Sequence, residues 1–177
     1  MTELQLIEAC KRSDSFAQRL LYEQFAEKIF ILCLRYVTNR HDAEELLSDC
    51  FVKAFKHVNQ FQYVGDGSLA AWVRKIAVNE CLMSLRKKKQ LVISVDEHSG
   101  IQQLAQEDDV FQHLNVAVIL KNIQKLPAGY RTVFNLFVFE DNSHKEIAEM
   151  LGISENTSKS QLFKARNMLK EMLNENR

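Results

Sequence analysis

The sequence predicts an all-α fold, two small helical domains joined by a flexible linker, and three observations carry that prediction. Glycine and proline together supply few residues, 5 and 1 respectively, where average usage of about 12% would give roughly twenty; a sheet protein of this length needs many more turn formers. Apolar side chains recur at three- and four-residue spacing along most of the chain, the period of a helix face. The composition also turns abruptly acidic between Ser94 and Phe111, where Asp96, Glu97, Glu107, Asp108 and Asp109 stand with no Lys or Arg. That interval, 94–111, reads as a linker between domains at 1–93 and 112–177, although Leu91 to Val95 has a short strand-like pattern.

The balance of the chain bounds its class. Lys plus Arg and Asp plus Glu are 23 each, and 46% of residues are hydrophobic, which suits a packed protein and is too apolar for disorder. The longest apolar runs are short, so no membrane span is expected. Glu3 and Glu8 stand where an export signal would have a basic start, so none is expected. Cys10, Cys33, Cys50 and Cys81 are widely spaced among apolar neighbours. They read as buried thiols of a reducing cytoplasm, with no zinc site among them.

The first predicted helix runs from Phe16 to Val37, with Leu21, Phe25, Ile29, Leu32, Cys33 and Tyr36 on one face and a capping box from Ser15 to Gln18. A second capping box, Asp42 to Glu45, opens a helix with Ala43, Leu46, Leu47, Cys50, Phe51, Ala54, Phe55 and Val58 on its apolar stripe. Asp42, Glu45, Asp49 and Lys53 lie on the other side. An acidic first turn also suits the helix dipole, so helix stabilisation explains Asp42, Glu44 and Glu45 as well as a partner would. The loop from Gln60 to Gly67 carries two aromatics expected to be exposed, Phe61 and Tyr63. Ser68 then reads as the N-cap of a third helix with a core Trp72 and a strongly basic polar side. Arg74, Lys75, Arg86, Lys87, Lys88 and Lys89 stand there against Glu80 alone. Beyond the linker, Leu114 to Leu126 is a helix stopped at Pro127, and Ala128 to Glu140 is an aromatic-rich one.

The C-terminal stretch is the most specific part of the chain. Ser143 and Glu146 form a capping box for a helix from His144 to Leu151; Gly152 can take the left-handed turn that ends it. Ile153 plugs the core, and Ser154 caps a helix from Glu155 to about Leu173. Two helices joined by a short Gly-containing turn, with small Ala148 at the crossing, make a helix-turn-helix. In that motif the second helix enters the major groove, and Asn156, Thr157, Lys159, Ser160, Gln161, Phe163, Lys164 and Arg166 are the groups available to it.

The string EIAEMLGISENTSKSQLFKAR, preceded by LPAGYRTVFNLFVFEDNS, resembles domain 4 of bacterial sigma factors of the extracytoplasmic-function (ECF) type, within the sigma-70 family. DAEELLSDCFVKAFKHVNQF and GDGSLAAWVRKIAVNECLMSLRKKK resemble domain 2 of the same family. The resemblance runs from about Phe16 to Leu173, with both domains in order. It implies a factor that binds core RNA polymerase, recognises the −10 and −35 promoter elements and opens the strands, without an active site, cofactor, metal or small-molecule substrate of its own. On this resemblance Asp42, Glu45, Leu46, Asp49 and Phe51 correspond to the polymerase-docking surface. Phe61, Tyr63, Asp66 and Ser68 correspond to the loop that captures an extruded −10 base. Arg74, Lys75, Asn79, Arg86 and Lys87 correspond to the grip on promoter DNA at the opening point. Thr157, Lys159, Ser160, Gln161, Phe163, Lys164 and Arg166 correspond to the −35 reader. Ser158 stands where the family usually has Val or Ile, and is expected to bond back to a helix carbonyl. Gln161, where Arg is common, is expected to remove a charge near the groove.

The resemblance also implies an anti-sigma factor as a partner. Zero net charge is unusual for a protein that binds DNA alone, so useful affinity for promoter duplex is expected only on the polymerase. Two other readings compete. A stand-alone helix-turn-helix regulator with an N-terminal sensor or dimerisation domain explains the C-terminal half but not the basic helix and aromatic loop. An enzyme fares worse, because the five histidines are scattered and Asp109 with His113 is a one-turn surface pair.

Overall fold

The computed structural model describes residues 1–88 and 116–175. The predicted linker 94–111, the stretch from Leu91 to Val95, Lys89 and the Asp109 and His113 pair lie outside the described residues. The chain divides into two units, Met1–Lys88 and Lys89–Arg177.

The first unit is built from α1 (Glu3–Lys11), α2 (Ser15–Tyr36), α3 (Arg40–His57), a 3-10 turn (Val58–Gln60) and α4 (Ser68–Lys87). The long α2 packs against α1, α3 and α4, and α3 packs against α4. Leu21, Ile29, Leu32, Cys50, Val73, Ala77 and Leu85 share the resulting core. Cys10, Cys33, Cys50 and Cys81 are free and buried, as their apolar settings predict. Burial pushes the Cys50 thiol up to about 12.

Helix starts depart from the sequence reading at three points. The carboxylate of Asp14, not Ser15, caps α2, accepting from the backbone N–H groups of Phe16 and Ala17 at 2.9 and 3.0 Å. Asn39 caps α3 by accepting from the Asp42 N–H at 2.8 Å, so that helix starts ahead of the expected Asp42 box. Both true caps are short side chains that precede the helix and reach back to its orphan donors. At α4 the Ser68 hydroxyl is not the cap; Gly67 occupies that position with φ 87°. The structure adds a helix, α1, ahead of the first one expected at Phe16. Its local signal is a capping box between Thr2 and Gln5 with Leu6, Ile7 and Cys10 behind it, all three buried.

The second unit comprises α5 (Val116–Lys125), α6 (Ala128–Phe134), a wide π turn (Asn135–Phe139), α7 (His144–Leu151) and α8 (Glu155–Glu175). Helix α8 is its centre, packed against α5, α6 and α7. The expected continuous helix from Ala128 to Glu140 instead widens, and the Glu140 N–H reaches back five residues to the Asn135 carbonyl at 3.1 Å. Buried Arg131 holds the end of α5, donating to the carbonyls of Gln124 and Leu126 at 3.1 and 2.9 Å. The α7 box forms as predicted, with Ser143 N–H donating to Glu146 Oε2 at 2.7 Å and Glu146 N–H to Ser143 Oγ at 3.2 Å. Gly152 ends α7 at φ 67°, and the Thr157 N–H donates to Ser154 Oγ at 3.0 Å. Among the described residues no helix is long and apolar enough to cross a membrane.

Candidate nucleic-acid interface

Three surfaces carry the residues singled out in the sequence, two on the first unit and one on the second. On α3 the solvent side presents Glu45 and Asp49, with Val52 one turn further on and 65% exposed. Leu46 and Phe51 do not share that face. Both are buried, and the Phe51 ring lies 4.7 Å from that of Tyr22, so they hold the helix in place rather than offering it to a partner. Asp42 is engaged within the unit by Lys88, whose Nζ lies 2.6 Å from Oδ1. Hydrogen bonds from Lys88 and Asn39 hold its carboxyl below the usual carboxylate range. Lys53, grouped in the sequence with the outward polar side, turns to the buried Glu80 at 2.5 Å. Val52 is a further exposed residue on this face, and its signal in the sequence is an apolar side chain at i+3 from Asp49, on the polar stripe.

The second surface is the loop before α4 together with the outer side of that helix. Phe61, expected to be exposed, is buried, and its ring packs 4.9 Å from Trp72. The pair walls the loop from the inside: Phe61 gains from burial against the indole, while Trp72, expected in the core, is only half-buried. Tyr63 is half-buried, and its hydroxyl donates to Asp66 Oδ1 at 2.6 Å. That bond raises the phenol above its ordinary value. Val64, 85% exposed, and Asp66 form the outer part of the loop; Ser68 is half-buried at the helix start. Along α4, Arg74, Lys75, Asn79, Arg86 and Lys87 are all exposed. Lys75, Asn79 and Lys87 fall on a four-residue spacing that makes one stripe down the helix, interrupted by the exposed Met83. The structure thus brings the five expected α4 residues to solvent while taking Lys88 out of the basic set.

The third surface is the start of α8. Lys159 and Phe163 are exposed and one turn apart; Ser160, Lys164 and Arg166 are partly exposed beside them. Thr157 and Gln161 are buried, at 6% and 2%, so neither side chain stands on the outer face and Gln161 leaves no gap in a groove-facing charge pattern. Ser158 is fully buried, and its hydroxyl meets His144 Nδ1 at 2.9 Å across the helix crossing rather than bonding back along α8. The His144 ring stacks on Phe137 at 4.6 Å, and the Arg166 guanidinium lies 5.7 Å from the centre of the same Phe137 ring. Burial first, and then the charges of Lys159 and Arg166, depress the His144 imidazole below its usual value. The arrangement sets cations and a hydroxyl around one exposed aromatic, groups whose chemistry can meet phosphates and base edges. Among the described residues no group of three His, Cys, Asp or Glu is placed to hold a metal ion.

Comparison with known proteins places both units. The family model for Sigma-70 region 2 matches residues 21–90, and that for Sigma-70, region 4 matches residues 117–169. The chain is 29% identical over 178 residues to the ECF RNA polymerase sigma factor SigW of Bacillus subtilis, covering 94% of each. It is 28% identical over 155 residues to SigM of the same organism, covering 87% of this chain and 93% of that one. Among solved structures it is similar to the sigma factor RpoE in complex with the anti-sigma factor NepR from Bartonella quintana. The TM-score is 0.55 at 23% identity, with 90% of this chain and 98% of that chain covered, a likeness of fold.

Proposed function

The chain belongs to the sigma-70 family as a factor of the ECF type, and we propose how its surfaces divide the work of promoter recognition. The exposed side of α3, with Glu45, Asp49 and Val52, docks on core RNA polymerase. The loop carrying Tyr63, Val64 and Asp66 takes an unpaired base of the −10 element, while Arg74, Lys75, Asn79, Arg86 and Lys87 on α4 neutralise phosphates beside it. The outer face of α8, through Lys159, Ser160, Phe163, Lys164 and Arg166, reads the −35 element as duplex.

One observation carries this division: the region 2 and region 4 matches fall in order on the two units, and each unit has its own exposed basic or polar stripe. Opening promoter DNA costs about 1.4 kcal/mol per stacked step. Capture of an unstacked base and neutralisation of phosphates offset that cost without any fuel, so the factor works as a specificity subunit with no active site of its own. The region 2 match over residues 21–90 sets aside a regulator with an unrelated N-terminal sensor. CnrH is solved with the cytosolic domain of CnrY, and RpoE with the anti-sigma factor NepR. By analogy an anti-sigma factor restrains this chain in the cytoplasm.

Run-off transcription with bacterial core polymerase, this protein as the sole added factor, and a genomic fragment pool tests the whole reading. Discrete transcripts that depend on the added protein are expected. Failure to associate with core polymerase, or transcripts that do not depend on the protein, would overturn it.

A further inference from the structure

Glu3 belongs to none of the surfaces described above, yet its carboxylate is spent on the segment that opens α4. Its Oε2 accepts from the Gly67 N–H at 2.8 Å; its Oε1 accepts from the Leu69 N–H at 2.8 Å and from the Ser68 hydroxyl at 3.4 Å. Gly67 occupies the cap position of α4 and has no side chain to satisfy the first donors of the helix. A carboxylate from another element supplies the cap, with its charge at the positive end of the helix dipole. The donor of that carboxylate is itself held, because Ile7 and Cys10 of α1 are essentially fully buried.

The consequence falls on the loop. Its entry is fixed by Phe61 against Trp72, its exit by Glu3 on Gly67 and Leu69, and its middle is closed by Tyr63 on Asp66 and by the Ser68 N–H on the Gly65 carbonyl at 3.1 Å. We propose that Glu3 is a positioning residue for −10 recognition: by capping α4 from α1 it holds Tyr63, Val64 and Asp66 in the shape that receives the unpaired base. This rests on the reading of that loop as the −10 site. A loop already ordered pays less on binding, so loss of the cap transfers the ordering cost to the DNA complex.

The test uses Glu3→Ala and Glu3→Gln in the full chain, alone and on core polymerase. In the free protein, hydrogen exchange of the Gly67 and Leu69 amides reports the cap. On the polymerase, fluorescence anisotropy measures a single-stranded non-template oligonucleotide taken from a promoter found by run-off transcription. Measurements are made well below the melting temperature of each variant. Glu3→Ala is expected to speed both amides and weaken the oligonucleotide by about fivefold, the scale of a lost helix cap, with core-polymerase affinity unchanged. Glu3→Gln, which keeps one acceptor oxygen, is expected to fall between. Faster exchange with unchanged oligonucleotide affinity would make Glu3 a structural cap only and overturn the inference, as would unchanged exchange. If the wild-type holoenzyme itself fails to prefer that strand over a scrambled one, the −10 reading of the loop falls, and the inference falls with it.

Discussion

Replacing Lys159 and Lys164 by alanine tests which face of α8 meets DNA. Lys159 is exposed, Lys164 is partly exposed, and both flank Phe163 on the outer side of the helix. If each cation neutralises one phosphate, the slope of log K against log salt changes by about 0.9 per lysine, and at about 0.15 M salt each contact is worth about 1 kcal/mol, or roughly fivefold. The double variant is therefore expected to bind promoter duplex about 25-fold more weakly in the polymerase complex, with a slope shallower by about two. Titrations of holoenzyme against labelled duplex at several salt concentrations read both quantities. Gln161→Ala is the internal control: its side chain is buried, so it is expected to lower stability by about 1 kcal/mol and leave the slope alone. Unchanged slopes in the lysine variants, or a shallower slope in Gln161→Ala, would mean that α8 presents a different face to DNA.

The remaining predictions concern stability and docking. His144 is held neutral by burial and by Lys159 and Arg166, against the opposing charge of Glu155. Its pKa is thus lower folded than unfolded, the unfolded chain binds more protons, and the second unit is expected to lose stability as pH falls below about 6.5. Thermal melts of His144→Asn should show a flatter acid limb, and an identical limb would place the sensitivity elsewhere. Lys53→Met leaves Glu80 buried without its cation and is expected to cost about 1–2 kcal/mol, the Lys53 side being partly solvated. Lys88→Ala should cost less, under about 1 kcal/mol, because the two lysines are similarly exposed but Asp42 keeps 15% of its side chain in solvent against 9% for Glu80; urea melts that reverse this order would refute the burial argument. Val52→Glu puts a charge on the outer face of α3 and is expected to weaken core-polymerase binding by about tenfold with an unchanged melting temperature. Unaltered polymerase affinity would take Val52 out of the docking surface.

The helix-turn-helix was legible almost residue for residue. Its boundaries are set by Ser143 with Glu146, by Gly152 and by Ser154, all interactions closed within a few positions of the chain. The exposed stripe of α4 was legible too, since five polar residues on a helical period leave the chain little other way to face. Burial inside the stripes was harder. Leu46 and Phe51 lie on the apolar stripe of the helix that carries Glu45 and Asp49, so the spacing already pointed them inward while the family resemblance grouped them with the docking face. Thr157 and Gln161 look like DNA-facing polar groups until the packing of α8 on α6 and α7 turns them inward.

By itself the sequence determined the helical class, the division into two bodies and the caps of the last two helices, because spacing and local hydrogen bonds carry that information within one or two turns. Tertiary structure alone decided that Glu3 caps α4 across 64 positions, that Lys88 meets Asp42 across 46, and that Phe61 folds in against Trp72. No periodicity marks such pairs. Their partners become neighbours only once the apolar stripes of α1, α2, α3 and α4 have closed on one another.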